Sequence, residues 1–310
     1  MDDGRARSRV RVPRGMADRA REFASAGLRP AVPRDAATVI LVRPGAAPET
    51  GTAGPETGPA GVEVYLLLRT QALEFAPGAC VFPGGSVDAR DADPAIAETG
   101  WAGPAPADFG HLLGVPADRA RALVCAAVRE TFEESGVLLA GPSPAELVSD
   151  RADLARDRRA LLDGSLSLSE LLGRRGLLLR ADLLTPWARW ITPEISPRRF
   201  DTWFFAAALP ARQLAGLATT GLATTGLAAA GPGESDSGTW WRPAAALEAA
   251  RAGQITLLPP TAVTLAELAA YQDVAGILGE RRMITPLLPT VVVEEERTWL
   301  AMPDAIEYPL

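Results

Sequence analysis

An α/β sandwich carrying insertions is the fold this sequence predicts, and three observations predict it. β-rich runs and helix-patterned segments interleave irregularly from one end to the other. No linker splits the chain cleanly. Its 310 residues, 47% hydrophobic, are enough for one elaborated core.

A helix-like piece over 16–26 precedes a β run at 36–43, through Thr38-Val39-Ile40-Leu41-Val42, and a second β run spans 62–69. Between them, residues 44–61 repeat Pro-Glu-Thr-Gly and cannot bury a face, so they read as a hairpin tip. Cys80-Val81-Phe82 is a short strand stopped by Pro83-Gly84-Gly85. Residues 92–115 form an insertion with at most short helices. Pro116 opens a helix ending at Ser135, because Pro suits the first turn and Gly136 the position after the last. Val137-Leu138-Leu139 continues as a strand, 145–162 and 167–172 are helical, and strands follow at 183–191 and 200–209. Three copies of a Gly-Leu-Ala-Thr-Thr-like pentapeptide make 211–238 an expanded loop, too small for a solenoid. Thr239-Trp240-Trp241 is a strand, 243–252 a helix, and 260–279 one longer amphipathic helix. The expected organisation is an N-terminal arm (1–35, partly disordered), a domain (36–280) and a C-terminal tail (281–310).

Composition narrows the chemistry. The charge count is 38 acidic against 31 basic, a net of −7, which argues against a nucleic-acid surface. Every basic residue is arginine, so no lysine can act as Schiff base or phosphate-loop cation. The single histidine, His111, excludes a two-histidine metal site and reads as a partly buried structural residue. Cys80 and Cys125 make no disulfide framework and read as small hydrophobes in a cytoplasmic, reduced protein. Trp187, Trp190 and Trp203 read as core. No apolar stretch is long enough to span a membrane.

The informative segment is Arg129-Glu130-Thr131-Phe132-Glu133-Glu134-Ser135-Gly136-Val137. At about 3.6 residues per turn, Glu130, Glu133 and Glu134 share one helix face. Val124, Cys125, Val128 and Phe132 fall opposite, and Ala126 and Ala127 leave room on the acidic side. Like charges at this spacing cost roughly 0.2–0.5 kcal/mol per pair. They also stand at the negative end of the helix dipole, where each exposed carboxylate loses roughly 0.3–1 kcal/mol. A lone Glu-Glu pair would read as a solvated helix end. Three carboxylates, an adjacent arginine and an upstream Gly-Gly turn point instead to a hard divalent cation, which wants several oxygen ligands.

These residues resemble the signature of the Nudix hydrolases: Gly, five residues, Glu, a spacer of seven, then Arg-Glu-aliphatic-x-Glu-Glu-x-Gly-aliphatic. Thr131 departs from the aliphatic position. Gly85 to Asp91 resembles the first half, with Asp91 where the family has Glu, and the spacer is longer by 30 residues. Leu66-Leu67-Leu68-Arg69, Phe75-Ala76-Pro77-Gly78, Trp190 to Glu194, Pro197 to Thr202 and Leu257 to Thr261 are similar to the insertion-bearing branch that includes peroxisomal coenzyme A and acyl-CoA diphosphatases. The resemblance implies an α/β/α sandwich around a mixed sheet and a Mg²⁺- or Mn²⁺-dependent diphosphatase. Glu130 and Glu134 would be the main metal ligands, with the Gly84 carbonyl adding an oxygen. Glu133 would be a ligand or position the attacking water, and Arg129 would hold a glutamate in place. Arg198, Arg199 and Arg69 are the candidates for substrate phosphates, and Glu194 for an extra ligand or base. Asp88 and Asp91 would support the site or cap the insertion. The implied partner is a small-molecule nucleotide derivative: coenzyme A or acyl-CoA, or alternatively ADP-ribose or a dinucleotide. A non-catalytic binding module is the competing class.

Overall fold

The computed structural model describes residues 9–12, 14–45, 61–70, 78–149, 154–216, 235–294, 297–303 and 306–310. The chain opens with β1 (Arg9–Arg11), α1 (Arg14–Ala26), β2 (Arg34–Pro44), β3 (Val62–Arg69), β4 (Ala79–Val81) and β5 (Gly84–Ser86). A 3₁₀ turn (Ala89–Ala92) leads to α2 (Ala95–Thr99), β6 (Trp101–Ala102), α3 (Pro106–Leu113) and the long α4 (Ala117–Ser135). Then come β7 (Ala140–Gly141), α5 (Leu154–Leu162), α6 (Leu168–Arg175), β8 (Leu178–Arg180), β9 (Thr185–Ile191) and β10 (Phe200–Ala208). The last third holds β11 (Ser235–Trp241), α7 (Pro243–Arg251), β12 (Thr256–Leu257), α8 (Pro259–Leu268), α9 (Val274–Leu278), β13 (Pro286–Leu287), β14 (Thr290–Glu294) and β15 (Arg297–Ala301).

Strict alternation builds two cores, one on each face of a mixed sheet. On β2, Ala37, Val39 and Leu41 face α4, whereas Ile40 and Val42 face α7 to α9. Strand β10 repeats the pattern, with Trp203, Phe205 and Ala207 on the α4 side and Phe204 and Ala206 on the other. The sheet order is β12-β4-β3-β2-β10-β9-β13, with β11 on β3 and β5 on β2. The expected α/β/α sandwich is the observed architecture, and Trp187, Trp190 and Trp203 lie in its cores.

A fork in this sheet makes the site. Strands β2 and β3 pair antiparallel only at Val42 to Pro44 against Val62 to Val64. Below that they part, and the segment from β4 to β5 fills the gap, with Cys80 and Val81 on β3 and Gly84 to Ser86 on β2. The Pro83 carbonyl accepts from the Val39 amide at 2.8 Å, closing the wedge. Gly84 and Gly85 are therefore presented at the crotch of the fork.

Helix α4 begins after Pro116 and stops at Gly136, whose φ of 76° lies in the left-handed region, as the sequence predicts. Its middle is buried on every side: Leu123 to Val128 are all at 0% exposure. The insertion supplies the outer cover, because α3 packs along α4 through Phe109 and Leu113. Ala126 and Ala127 therefore sit in core and leave no room for a ligand, correcting the sequence reading. A second correction concerns Val137 to Leu139, which form no strand. The Gln213 side-chain amide takes the place of a strand neighbour, accepting from the Leu138 N–H at 2.8 Å and donating to its carbonyl at 2.9 Å.

Two predicted helices are shorter than expected. Within 145–162 the described helix is α5 alone, and 260–279 is broken between α8 and α9 where Asp273 caps a new start by accepting from the Gly276 N–H. His111 is exposed on α3 rather than partly buried. The N-terminal β1 pairs with β15, which pairs with β14, so residues from the two ends share a small sheet, with α1 packed against it. Nearly all of the hairpin tip and of the pentapeptide repeat, and Phe75 to Pro77, lie outside the described residues.

Candidate active site

The last two turns of α4 bring Arg129, Glu130, Glu133 and Glu134 to the fork. Arg129 is the hub. Its Nε and Nη2 grip both oxygens of Asp91 at 2.9 and 2.8 Å, and Nη2 also donates to the Ser86 carbonyl at 2.9 Å. Its Nη1 donates to Glu130 Oε1 at 2.8 Å and to Glu133 Oε2 at 3.2 Å. Asp91 does both things the sequence left open. It holds Arg129, and its Oδ2 accepts from the Asp88 N–H at 2.8 Å to cap the 3₁₀ turn that starts the insertion. Asp88, bonded mainly to the Arg90 side chain, has its carboxyl drawn down to about 2.

Glu134 points to the other lip of the fork, where its Oε2 accepts from the Gly84 N–H at 2.8 Å. The Gly84 contact observed is thus through its amide N–H, whereas the resemblance had offered its carbonyl as a ligand. Gly85 leaves room for the Glu130 carboxylate: a Cβ there would stand 2.5 Å from Glu130 Oε1 and force it aside. The Gly-Gly turn and the acidic helix end are therefore one unit, although Gly85 and Arg129 stand 44 positions apart in the chain.

One guanidinium here faces three carboxylates, with a fourth at Gly84. All are well covered: side-chain exposure is 9% for Arg129, 14% for Glu130, 12% for Glu133 and 1% for Asp91. Burial pushes the Glu130 carboxyl up to about 7 and raises that of Glu133. Among the described residues no three acidic groups converge tightly enough to cage an ion as they stand. The donor set nonetheless fits a hard divalent cation. Three carboxylates stand on two turns of one helix, and the charge deficit around Arg129 is the kind a cation corrects.

Two contributors carried no sequence signal. Arg158 of α5 donates through Nε to the Glu133 carbonyl at 2.9 Å, placing positive charge on the helix end that the glutamates burden. Tyr65 of β3 is buried near both Glu134 and Arg158. Periodicity placed each on an ordinary element and nothing more.

The other sequence candidates sit elsewhere. Glu194, Arg198 and Arg199 occupy the loop between β9 and β10, at the end of the sheet where β10 and β2 begin. Arg199 is 7% exposed and donates to the Thr192 and Ala31 carbonyls, both at 2.9 Å. That guanidinium pins the loop, which corrects its assignment to substrate phosphate. Glu194 and Arg198 are exposed in the same loop. Arg69 ends β3 at the open end of the fork, next to Leu68, which pairs with Cys80.

With this geometry in place, comparison with known proteins is decisive. A family model described as the NUDT19 Nudix domain matches residues 106–268, more than half of the chain. The chain belongs to the Nudix family. Two curated relatives, both named acyl-coenzyme A diphosphatase NUDT19, are 27% identical over 244 residues (Xenopus laevis) and 29% identical over 246 residues (Gallus gallus). Each alignment covers 68% of this chain but only 61% and 62% of those relatives' own lengths. A crystal structure of a Nudix hydrolase from Alicyclobacillus acidocaldarius is similar at a TM-score of 0.62 and 25% identity, covering 81% of this chain and 98% of that one. The Nudix model match starts within the insertion, so it takes in α4 but not Gly84 and Gly85. The fold restores them to the helix. No helix among the described residues is long and apolar enough to cross a membrane.

Proposed function

We infer that this Nudix chain hydrolyses the diphosphate linkage of a nucleoside diphosphate derivative, with coenzyme A or an acyl-CoA as substrate. The observation that carries the reading is the gathering of Glu130 and Glu133 on Arg129 and of Glu134 on the Gly84 amide, all at the Gly84-Gly85 fork. The relatives named acyl-CoA diphosphatases direct the choice of substrate.

Glu130, Glu133 and Glu134 would hold Mg²⁺ or Mn²⁺, hard ions that prefer oxygen donors. When bound, such an ion supplies charge neutralisation at the diphosphate and a water acidic enough to attack it. The protein's own share is to orient the carboxylates and accept the proton. Arg129, itself locked by Asp91 and the Ser86 carbonyl, fixes Glu130 and Glu133. Glu133, held by the Arg129 guanidinium, is the carboxylate assigned to position the attacking water and take its proton. Arg69 and the exposed Arg198 are assigned to the substrate's phosphates, where a guanidinium fork matches phosphate oxygens. Glu194, exposed in the same loop as Arg198, keeps the role of an auxiliary ligand or base.

The test is a product-resolved screen. The protein is incubated with Mg²⁺ or Mn²⁺ and coenzyme A, an acyl-CoA, ADP-ribose, NADH or a dinucleoside polyphosphate, and products are read by mass. The expected result is metal-dependent release of a nucleoside bisphosphate and a phosphopantetheine product from the coenzyme A compounds. Turnover of ADP-ribose or a dinucleotide alone reassigns the substrate, and no metal-dependent product from any of them leaves a binding module.

A further inference from the structure

We propose that the Tyr65 hydroxyl is a dedicated donor to an oxygen atom in the shell of the ion held by Glu134, either a bound water or a substrate phosphate oxygen. This rests on the reading of Glu134 as a metal ligand. Alternation on β3 puts Tyr65 and Leu67 on the face of the sheet that α4 covers. The Tyr65 side chain is 1% exposed, and among the described residues its hydroxyl has no hydrogen-bond partner. A buried hydroxyl without an acceptor costs stability, so an orphan beside an acidic cluster calls for a reason.

The phenol is also held in place rather than loosely packed. Its ring meets that of Trp240 on β11 at 5.3 Å with a 56° tilt, and Arg43 stacks over Trp240 at 4.2 Å while pairing with Glu63. Across the strand pair, Gly238 makes room for the hydroxyl, because a Cβ at 238 would fall on the Tyr65 oxygen. Glu134 and Arg158 are the charged groups that act on the phenol, the first raising and the second lowering its affinity for its proton. Burial is the largest influence, and the net result is a pKa of about 12. The group is therefore a neutral O–H at any physiological pH. It stands near an acceptor-only carboxylate and a donor-only guanidinium, and is bonded to neither. An oxygen brought between them completes the set, as outer partners of metal sites commonly do.

The decisive variant is Tyr65→Phe, which removes one oxygen and keeps the ring. Binding is read by calorimetry in two arms: Mn²⁺ alone, and inorganic pyrophosphate in the presence of Mn²⁺. About a tenfold loss of affinity is expected. A loss already present with Mn²⁺ alone identifies a bound water as the acceptor, whereas a loss confined to pyrophosphate identifies a phosphate oxygen. The melting temperature of the metal-free variant should equal or exceed that of the wild type, since an unsatisfied group is removed. Gly238→Ala, which crowds the hydroxyl without deleting it, should weaken binding in the same arm. Wild-type affinity in both arms for Tyr65→Phe overturns the proposal, as does a lowered melting temperature with unchanged binding. A wild type that binds Mn²⁺ and pyrophosphate but hydrolyses no diphosphate defeats the proposed function only, and the affinity ratio still decides the role of Tyr65. A wild type that binds neither defeats both.

Discussion

The two ends of α4 each carry an ion network, half-buried at the first turn and well covered at the last, and they are built on opposite principles. At the first turn Arg119 grips both oxygens of Asp35 at 2.9 and 2.6 Å and reaches Asp201 at 2.9 Å. Arg189 takes both oxygens of Asp201 at 2.8 and 2.6 Å and lies over the Trp203 ring. Two guanidinium groups thus meet two carboxylates, and the set staples α4 to β2, β9 and β10. At the last turns a single Arg129 serves Asp91, Glu130 and Glu133, while Glu134 has the Gly84 amide. The balanced network has its counter-charges built in. The other carries more carboxylates than guanidinium groups even with Arg158 beside it, so a proton or an added cation would relieve it, and that is what distinguishes a staple from a site.

Removing one carboxylate from each end sharpens the contrast. Glu134→Gln keeps size and loses charge. Metal-dependent turnover should fall by about a thousandfold, in line with losses of a directly acting electrostatic group. The metal-free variant should melt no lower than the wild type, because self-repulsion has been relieved. Residual turnover within tenfold of wild type would remove Glu134 from the machinery. Asp201→Ala should do the reverse. Stripping the shared carboxylate from Arg189 and Arg119 should cost about 3 kcal/mol in urea unfolding, the scale expected when a buried pair loses one partner. Turnover of the folded fraction should stay within about twofold of the wild type. If activity collapses with stability intact, the first-turn network is not merely a staple and the comparison fails.

Much of this contrast was legible in the sequence, and what was not has a common cause. Pro116 and Gly136 delimit α4 because they act locally, through a fixed φ and a left-handed stop. The acidic face followed from helical period, and Gly85 from its place in the signature. What stayed hidden depends on partners far along the chain. Arg158 was one of several arginines in a predicted helix, and its role exists only because α5 lies across the end of α4. Tyr65 was an aromatic in a β run until β11 and the fork surrounded it. Gln213 standing in for a strand could not be seen from Leu138. Arg199 misled in the opposite direction: an Arg-Arg pair in a Pro-bounded loop resembles a phosphate grip, but the Thr192 and Ala31 backbone carbonyls claim one of the two. Ala126 and Ala127 misled because the insertion, read as outlying, covers the helix.

The smallest effect tests the charge deficit itself, through pH. Burial lifts the Glu130 carboxyl from its ordinary 4.5 to about 7, so the folded protein holds that proton more tightly than the unfolded chain. The stabilisation is complete below about pH 4.5 and is lost as pH rises through about 7. Glu133, raised by burial as well, acts in the same direction. Asp88, lowered to about 2, gains its stabilising charge below this window and does not interfere. In chelator, the melting temperature should therefore carry a component that declines between pH 4.5 and 7. Glu130→Gln should flatten that decline, and saturating Mn²⁺ should flatten it in the wild type, because a bound cation replaces the proton as counter-charge. The same replacement requires apparent Mn²⁺ affinity to rise over this interval as the carboxyl gives up its proton. Identical profiles for wild type and Glu130→Gln, with and without the ion, would mean that the last turn of α4 is as well neutralised as the first.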